Sequence, residues 1–145
     1  MARFRGVLLD VDGTLVDSND AHAHAWVEAL AKYGHAVSFA RARQMIGMGG
    51  DRLVEAVTGL PRDSHKNRRI GEARTEIFFA KWLATVRPIQ GSRALVLRLL
   101  ADGYQYALAS AAKAEELAPL VEIADIADLV PKRTTSSSTP RKRAM

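Results

Sequence analysis

The chain contains no cysteine. That excludes a disulfide framework, a thiolate zinc site and a cysteine nucleophile. No apolar run approaches the roughly 20 residues that a membrane span requires, so no membrane partner is expected. The opening Met1-Ala2-Arg3-Phe4-Arg5 is basic, but the apolar stretch behind it stops at Asp10. It is too short for the core of a secretory signal, and the expected location is cytoplasmic. Internal repeats are absent, and so is any acidic residue in 132–145.

What is present has the make-up of a soluble globular protein: 145 residues, 48% hydrophobic and 26% charged, enough chain to bury a core. The formal net charge is +5, which taken alone suggests a polyanionic partner. Its distribution argues otherwise. Lys132, Arg133, Arg141, Lys142 and Arg143 supply five of the 21 basic residues, and the other 16 face 16 acids. The first 131 residues are neutral. The tail 132–145 combines a Ser/Thr/Pro stretch with an Arg/Lys run, cannot bury apolar area, and is expected to be disordered. No nucleic-acid partner is expected.

Residues 4–9 read as a strand that becomes buried toward its end. Ser18 or Asn19 caps a helix through Ala25, Trp26, Ala29, Leu30 and Tyr33, which Gly34 ends. Further helices are predicted over 39–46, from an Asp51 cap through Val57, and over 65–84. Arg87-Pro88-Ile89-Gln90-Gly91 breaks this helical block. Then follow a helix over 92–101, a strand over 104–109, a helix opened by Ser110, and a turn leading to a short third strand within 125–130. Strand, helix, strand, helix, strand predicts an α/β fold with a parallel sheet.

The strongest chemical signal closes the first strand. Asp10 and Asp12 flank one residue and precede Gly13-Thr14. In an extended chain residues i and i+2 point the same way, and parallel sheets bind ligands at the carboxyl ends of their strands. One carboxylate can attack phosphorus and form an aspartyl-phosphate. The other can protonate the leaving oxygen and then activate water. The pair also attracts Mg²⁺, a cation held by hard oxygen ligands and substrate phosphate. A plain acidic turn is the alternative. Ser110, at the end of the second long strand, offers a hydroxyl at a helix N-terminus, which suits an anion; a simple N-cap role is compatible. Lys113 lies near that anion or on the surface. Trp26 and Trp82 read as helical core.

Asp10-Val11-Asp12-Gly13-Thr14-Leu15-Val16-Asp17-Ser18 resembles the first motif of the haloacid dehalogenase-like (HAD) hydrolases. The similarity runs from about residue 4 to 135 and is greatest to the phosphoglycolate phosphatase and β-phosphoglucomutase-like branch. The resemblance implies a partial Rossmann-like HAD core over 1–15 and 87–131, with an inserted helical cap over 16–86. It implies Asp10 as nucleophile and Asp12 as general acid/base, with both residues holding Mg²⁺, the latter through its carbonyl. Ser110 matches the second motif, and Ala111 and Gly13 join it as phosphate-binding positions. His22-Ala23-His24-Ala25-Trp26 resembles the first cap helix, and Gly47-Met48-Gly49-Gly50 the substrate-specificity loop. His22, Gly49 and Arg52 are the substrate-contact candidates of the cap. The implied activity is Mg²⁺-dependent hydrolysis of a small phosphorylated metabolite; a mutase of the β-phosphoglucomutase type would share most of these residues.

The family's third-motif lysine and fourth-motif acidic stretch have no counterpart. Thr134-Thr135-Ser136-Ser137 still resembles the family, Lys132 comes too early, and no acid follows Asp128. The expectation is a chain cut short by a frame change or truncation near residue 138. Its Mg²⁺ affinity would be weakened and the apolar first strand left exposed, with self-association through the incomplete sheet. An impaired fragment, or a module that binds phosphate or a partner, is the alternative to an active enzyme.

Overall fold

A computed structural model describes residues 5–131. The elements in chain order are β1 (Gly6–Asp10), β2 (Val16–Asp17), α1 (Asn19–Lys32), α2 (Phe39–Gln44), α3 (Gly50–Thr58), α4 (His65–Ile77), β3 (Arg87–Pro88), α5 (Ser92–Ala101), β4 (Gln105–Ala109) and α6 (Ala114–Ile123). The described residues form two compact units, one of Val16–Arg87 and one of residues 5–15 with 88–131. Among the described residues no helix is long and apolar enough to cross a membrane.

The flanking unit is α/β. β1 and β4 pair in parallel, with Gly6 opposite Gln105, Leu8 opposite Ala107 and Asp10 opposite Ala109. Alternation sorts their side chains. Leu9 and Val11 are buried on one side, as are Tyr106 and Leu108 of β4, whereas Leu8, on the other face, is 76% exposed. Val96 of α5, Leu120 and Val121 of α6, and Ile126 are also buried.

The expected third strand is not there. Ala127–Leu129 form a single 3-10 turn instead. The physical reason lies in the donors around this segment. The Tyr106 hydroxyl donates to the Leu129 carbonyl, and Arg93 donates to the Asp125 carbonyl at 2.6 Å. Arg93 also grips Asp128 with two bonds of 2.7 and 2.9 Å. Side chains thus satisfy carbonyls that a sheet ladder would otherwise take.

The other unit is helical apart from the short strand pair of β2 with β3. Its core joins Trp26, Ala29 and Leu30 of α1 with Leu53 and Val54 of α3 and Ile70 and Ala73 of α4. These positions follow the 3.6-residue period of an apolar stripe. Two helix expectations are corrected. Asp51 does not cap α3; Gly49 holds the N-cap position and Gly50 begins the helix. The helix predicted over 65–84 is α-helical only to Ile77, then widens to a π-turn over Phe78–Trp82 and closes with a 3-10 turn over Leu83–Thr85. The widened turn accompanies specific contacts. Phe78 stacks on His22 at 4.4 Å and Trp82 on His24 at 4.2 Å. Glu28 accepts from Lys81 Nζ at 2.8 Å and Trp82 Nε1 at 2.9 Å. These contacts offset the poorer backbone geometry of a π-turn.

Candidate active site

β1 delivers Asp10 to its carboxyl end. Val11 beyond it is fully buried, which anchors the backbone between an exposed Asp10 and a half-buried Asp12. The chain then turns. Leu15 N–H donates to the Val11 carbonyl at 2.9 Å, and Gly13 takes φ +75°, a conformation that favours glycine. The turn brings Thr14 back, and its hydroxyl donates to Asp10 Oδ2 at 3.2 Å. The loop is tied down at its far end by Ser92, a buried residue at the start of α5. Ser92 Oγ donates to the Leu15 and Ile89 carbonyls, both at 2.7 Å, and Ile89 N–H donates to Leu15 at 3.0 Å.

β4 delivers the second part. Asp10 is the register partner of Ala109, so Ser110 and Ala111 leave the sheet beside the carboxylate-bearing end of β1; neighbouring strands run about 4.8 Å apart. Ser110 does not open a helix, and this corrects the N-cap expectation. α6 begins at Ala114 with Lys113 in the N-cap position, so Lys113 precedes the helix rather than lying within it. The Ser110 hydroxyl accepts from Ala112 N–H at 3.0 Å across a short loop. A side chain that satisfies a backbone donor two residues on makes such a turn. Asp10, Asp12, Gly13, Ser110 and Ala111 thus belong to one unit, at adjacent strand ends.

The cap candidates belong to the helical unit and are spread within it. His22 is 8% exposed, with its ring against Phe78. Gly49 precedes α3, and Arg52 is exposed on that helix. Sequence reasoning missed two residues. Thr14 could have been found from the Gly13 turn, which returns position i+4 toward Asp10. Ser92 carried no local signal.

The donor chemistry of Asp10 and Asp12 fits Mg²⁺, which binds through one or two carboxylates and takes waters and phosphate oxygens for the rest. Among the described residues no group of three or more His, Asp or Glu side chains is placed to hold a metal. The basic tail over 132–145 lies outside the described residues.

The family model of the haloacid dehalogenase-like hydrolases matches residues 7–143. A phosphoglycolate phosphatase of Yersinia pseudotuberculosis is 35% identical over 131 residues, covering 86% of this chain and 55% of that protein. A fructose-1-phosphate phosphatase of Escherichia coli is 28% identical over 90 residues, covering 60% of this chain and 46% of that protein. A hydrolase from Pseudomonas syringae superimposes with a TM-score of 0.73 at 20% identity, over 85% of this chain and 55% of that one. The chain spans about half the length of the curated relatives it matches. It belongs to the haloacid dehalogenase-like hydrolases.

Proposed function

We propose that this chain carries the phosphoryl-transfer end of a phosphatase acting on a small phosphorylated metabolite. The observation that supports it is the β1–β4 register, which sets the Asp10 carboxylate level with Ala109, one residue before the Ser110 hydroxyl. A carboxylate needs no prior deprotonation to act as a nucleophile, and a hydroxyl beside backbone N–H groups suits the phosphate oxygens.

Asp10 attacks phosphorus as the ester P–O bond breaks, giving an aspartyl-phosphate. Asp12, protonated, gives its proton to the departing alkoxide. Asp12, now a carboxylate, takes a proton from water as that water attacks the aspartyl-phosphate, and inorganic phosphate leaves with Asp10 restored. Thr14 holds one oxygen of Asp10, fixing the carboxylate for attack. Ser110 and the backbone N–H groups of Ala111 and Gly13 orient the phosphoryl oxygens. Mg²⁺, when held by Asp10 and Asp12, supplies charge neutralisation at the phosphoryl group.

The test is release of inorganic phosphate from phosphoglycolate, fructose 1-phosphate and an aryl phosphate, with and without Mg²⁺, on chain shown to be folded by circular dichroism. Asp10→Asn should lower the rate at least about a thousandfold, as removal of a covalent nucleophile does. Equal rates in the two proteins would overturn the proposal. No turnover by the wild type, with phosphate binding still sensitive to Ser110→Ala, would put a phosphate-binding module in its place.

A further inference from the structure

We propose that the helical unit carries a second anion site, for a compact organic anion with an apolar body, at the end of α1 remote from His22. A cavity of about 360 Å³ lies there, lined among others by Tyr33, His35, Leu60, Lys66, Arg69 and Ile70. That volume is in the range of small-molecule sites, roughly 300–1,000 Å³. Tyr33 follows α1, eleven positions after His22, which is about 16 Å along a helix rising ~1.5 Å per residue. The inference does not rest on the phosphatase proposal.

The lining is divided by chemistry. Ile70 is 1% exposed and, with half-buried Leu60, belongs to the apolar core that floors the cavity. The rim is nitrogen-rich: His35, His65, Lys66 and Arg69 line it, and no carboxylate does. Glu72 and Glu76 act on Arg69 electrostatically but line no part of the cavity. Arg69 and Tyr33 line the same rim and lie close enough to interact.

The start of α4 adds an independent anomaly. Its first turn has no acidic residue and opens with His65 and Lys66. Cations at a helix N-terminus oppose the positive end of the macrodipole, where acids are the favourable choice. An anion seated over that turn converts the unfavourable arrangement into a favourable one. The tripartite rim has a consequence: the ligand would join the segment after α1, the turn before α4 and α4 itself. Binding to the folded state alone then raises thermal stability.

The probe is phenylphosphonate, whose C–P bond a phosphomonoesterase does not hydrolyse, titrated into the full chain by calorimetry and by amide chemical shifts. The expected result is binding at millimolar or lower concentration, shifts centred on residues 60–70, and a raised Tm. Lys66→Glu, a change at an exposed position, should weaken binding about tenfold or more, and Arg69→Gln likewise. Ser110→Ala should leave the affinity unchanged. Inorganic phosphate, without an apolar body, should bind at least about tenfold more weakly. Read at the amides of residues 60–70, no binding below about 10 mM, affinity indifferent to Lys66 and Arg69, loss of binding in Ser110→Ala, or phosphate binding as tightly as phenylphosphonate would each overturn the proposal.

Discussion

Replacing glycine by alanine should have opposite effects at two helical positions of the same unit. Gly50 begins α3. A Cβ there would lie 2.9 Å from Cζ2 and 3.1 Å from Cη2 of Trp26. Trp26 cannot yield easily, because it is 5% exposed and packed with Leu30, Leu53, Val54 and Ile70. Helix propensity favours alanine by about 0.8–1 kcal/mol in a helix interior and by less at a first position. Overpacking a fixed ring costs about 1–3 kcal/mol. Gly50→Ala should therefore destabilise by about 1–2 kcal/mol, lowering Tm by roughly 3–8 °C. Gly71, within α4, has open space where its Cβ would point. There only propensity and unfolded-state entropy act, and Gly71→Ala should stabilise by about 0.5–1 kcal/mol. Trp26→Phe removes both crowded ring atoms. In that background Gly50→Ala should become less harmful, with a coupling of at least about 0.5 kcal/mol. Urea unfolding followed by circular dichroism measures the wild type and all four variants, with constant m confirming that midpoints report stability. A Gly50→Ala protein as stable as wild type, or strict additivity with Trp26→Phe, would refute the close-approach argument.

The remaining predictions concern both units. Ser92→Ala removes the hydroxyl shared by two carbonyls, each of which keeps one backbone N–H donor, and should cost about 0.5–1.5 kcal/mol in the same urea assay; a neutral result would deny Ser92 its anchoring role. Lys81 donating to Glu28 holds that carboxyl below its usual range, with Trp82 and the charges of Lys81 and His24 adding and burial opposing. The folded state thus binds this proton less readily than the unfolded one. The stabilisation is complete above the unfolded value near ~4.3 and is lost as pH falls through the folded one. Glu28→Gln should be less stable than wild type by about 0.2–1 kcal/mol at neutral pH, and the difference should close in acid; a gap that persists there contradicts the ion-pair account. Leu8, 76% exposed on a strand, should drive concentration-dependent self-association visible by sedimentation velocity. Leu8→Lys should weaken that association at least about tenfold, since burying a leucine contributes roughly 1.5–3 kcal/mol. A wild-type chain monomeric at all accessible concentrations would sink that expectation.

Much of the fold was legible because its signals are local. The apolar run before Asp10, the stripe through Trp26, Ala29 and Leu30, and the Gly34 stop after α1 each follow from neighbours within a few residues. What escaped depends on distant partners. The α-helical period continues through Phe78 and Trp82, yet the backbone widens there, where their rings meet His22 and His24, more than fifty positions earlier in the chain. Likewise Leu129-Val130 has the composition of a strand end. Tyr106 occupies the Leu129 carbonyl and Arg93 the Asp125 carbonyl ahead of it, and neither donor is visible from residues 125–130 alone.

The candidate site divides along the same line. Asp10, Asp12 and Gly13 form one contiguous motif at a strand end, so their chemistry could be read where they stand. The level of Ser110 relative to them could not, because a parallel register is fixed by pairing across an intervening unit, and a slip of one residue would turn each side chain to the other face. Pairing of Asp10 with Ala109 therefore matters to the phosphatase proposal alongside the Asp10 carboxylate itself. Ser92 is the extreme case. It lies 77 positions from Leu15 in an ordinary helix start, and its role exists only because the loop that follows the two aspartates needs its Leu15 carbonyl held in a place where water does not reach.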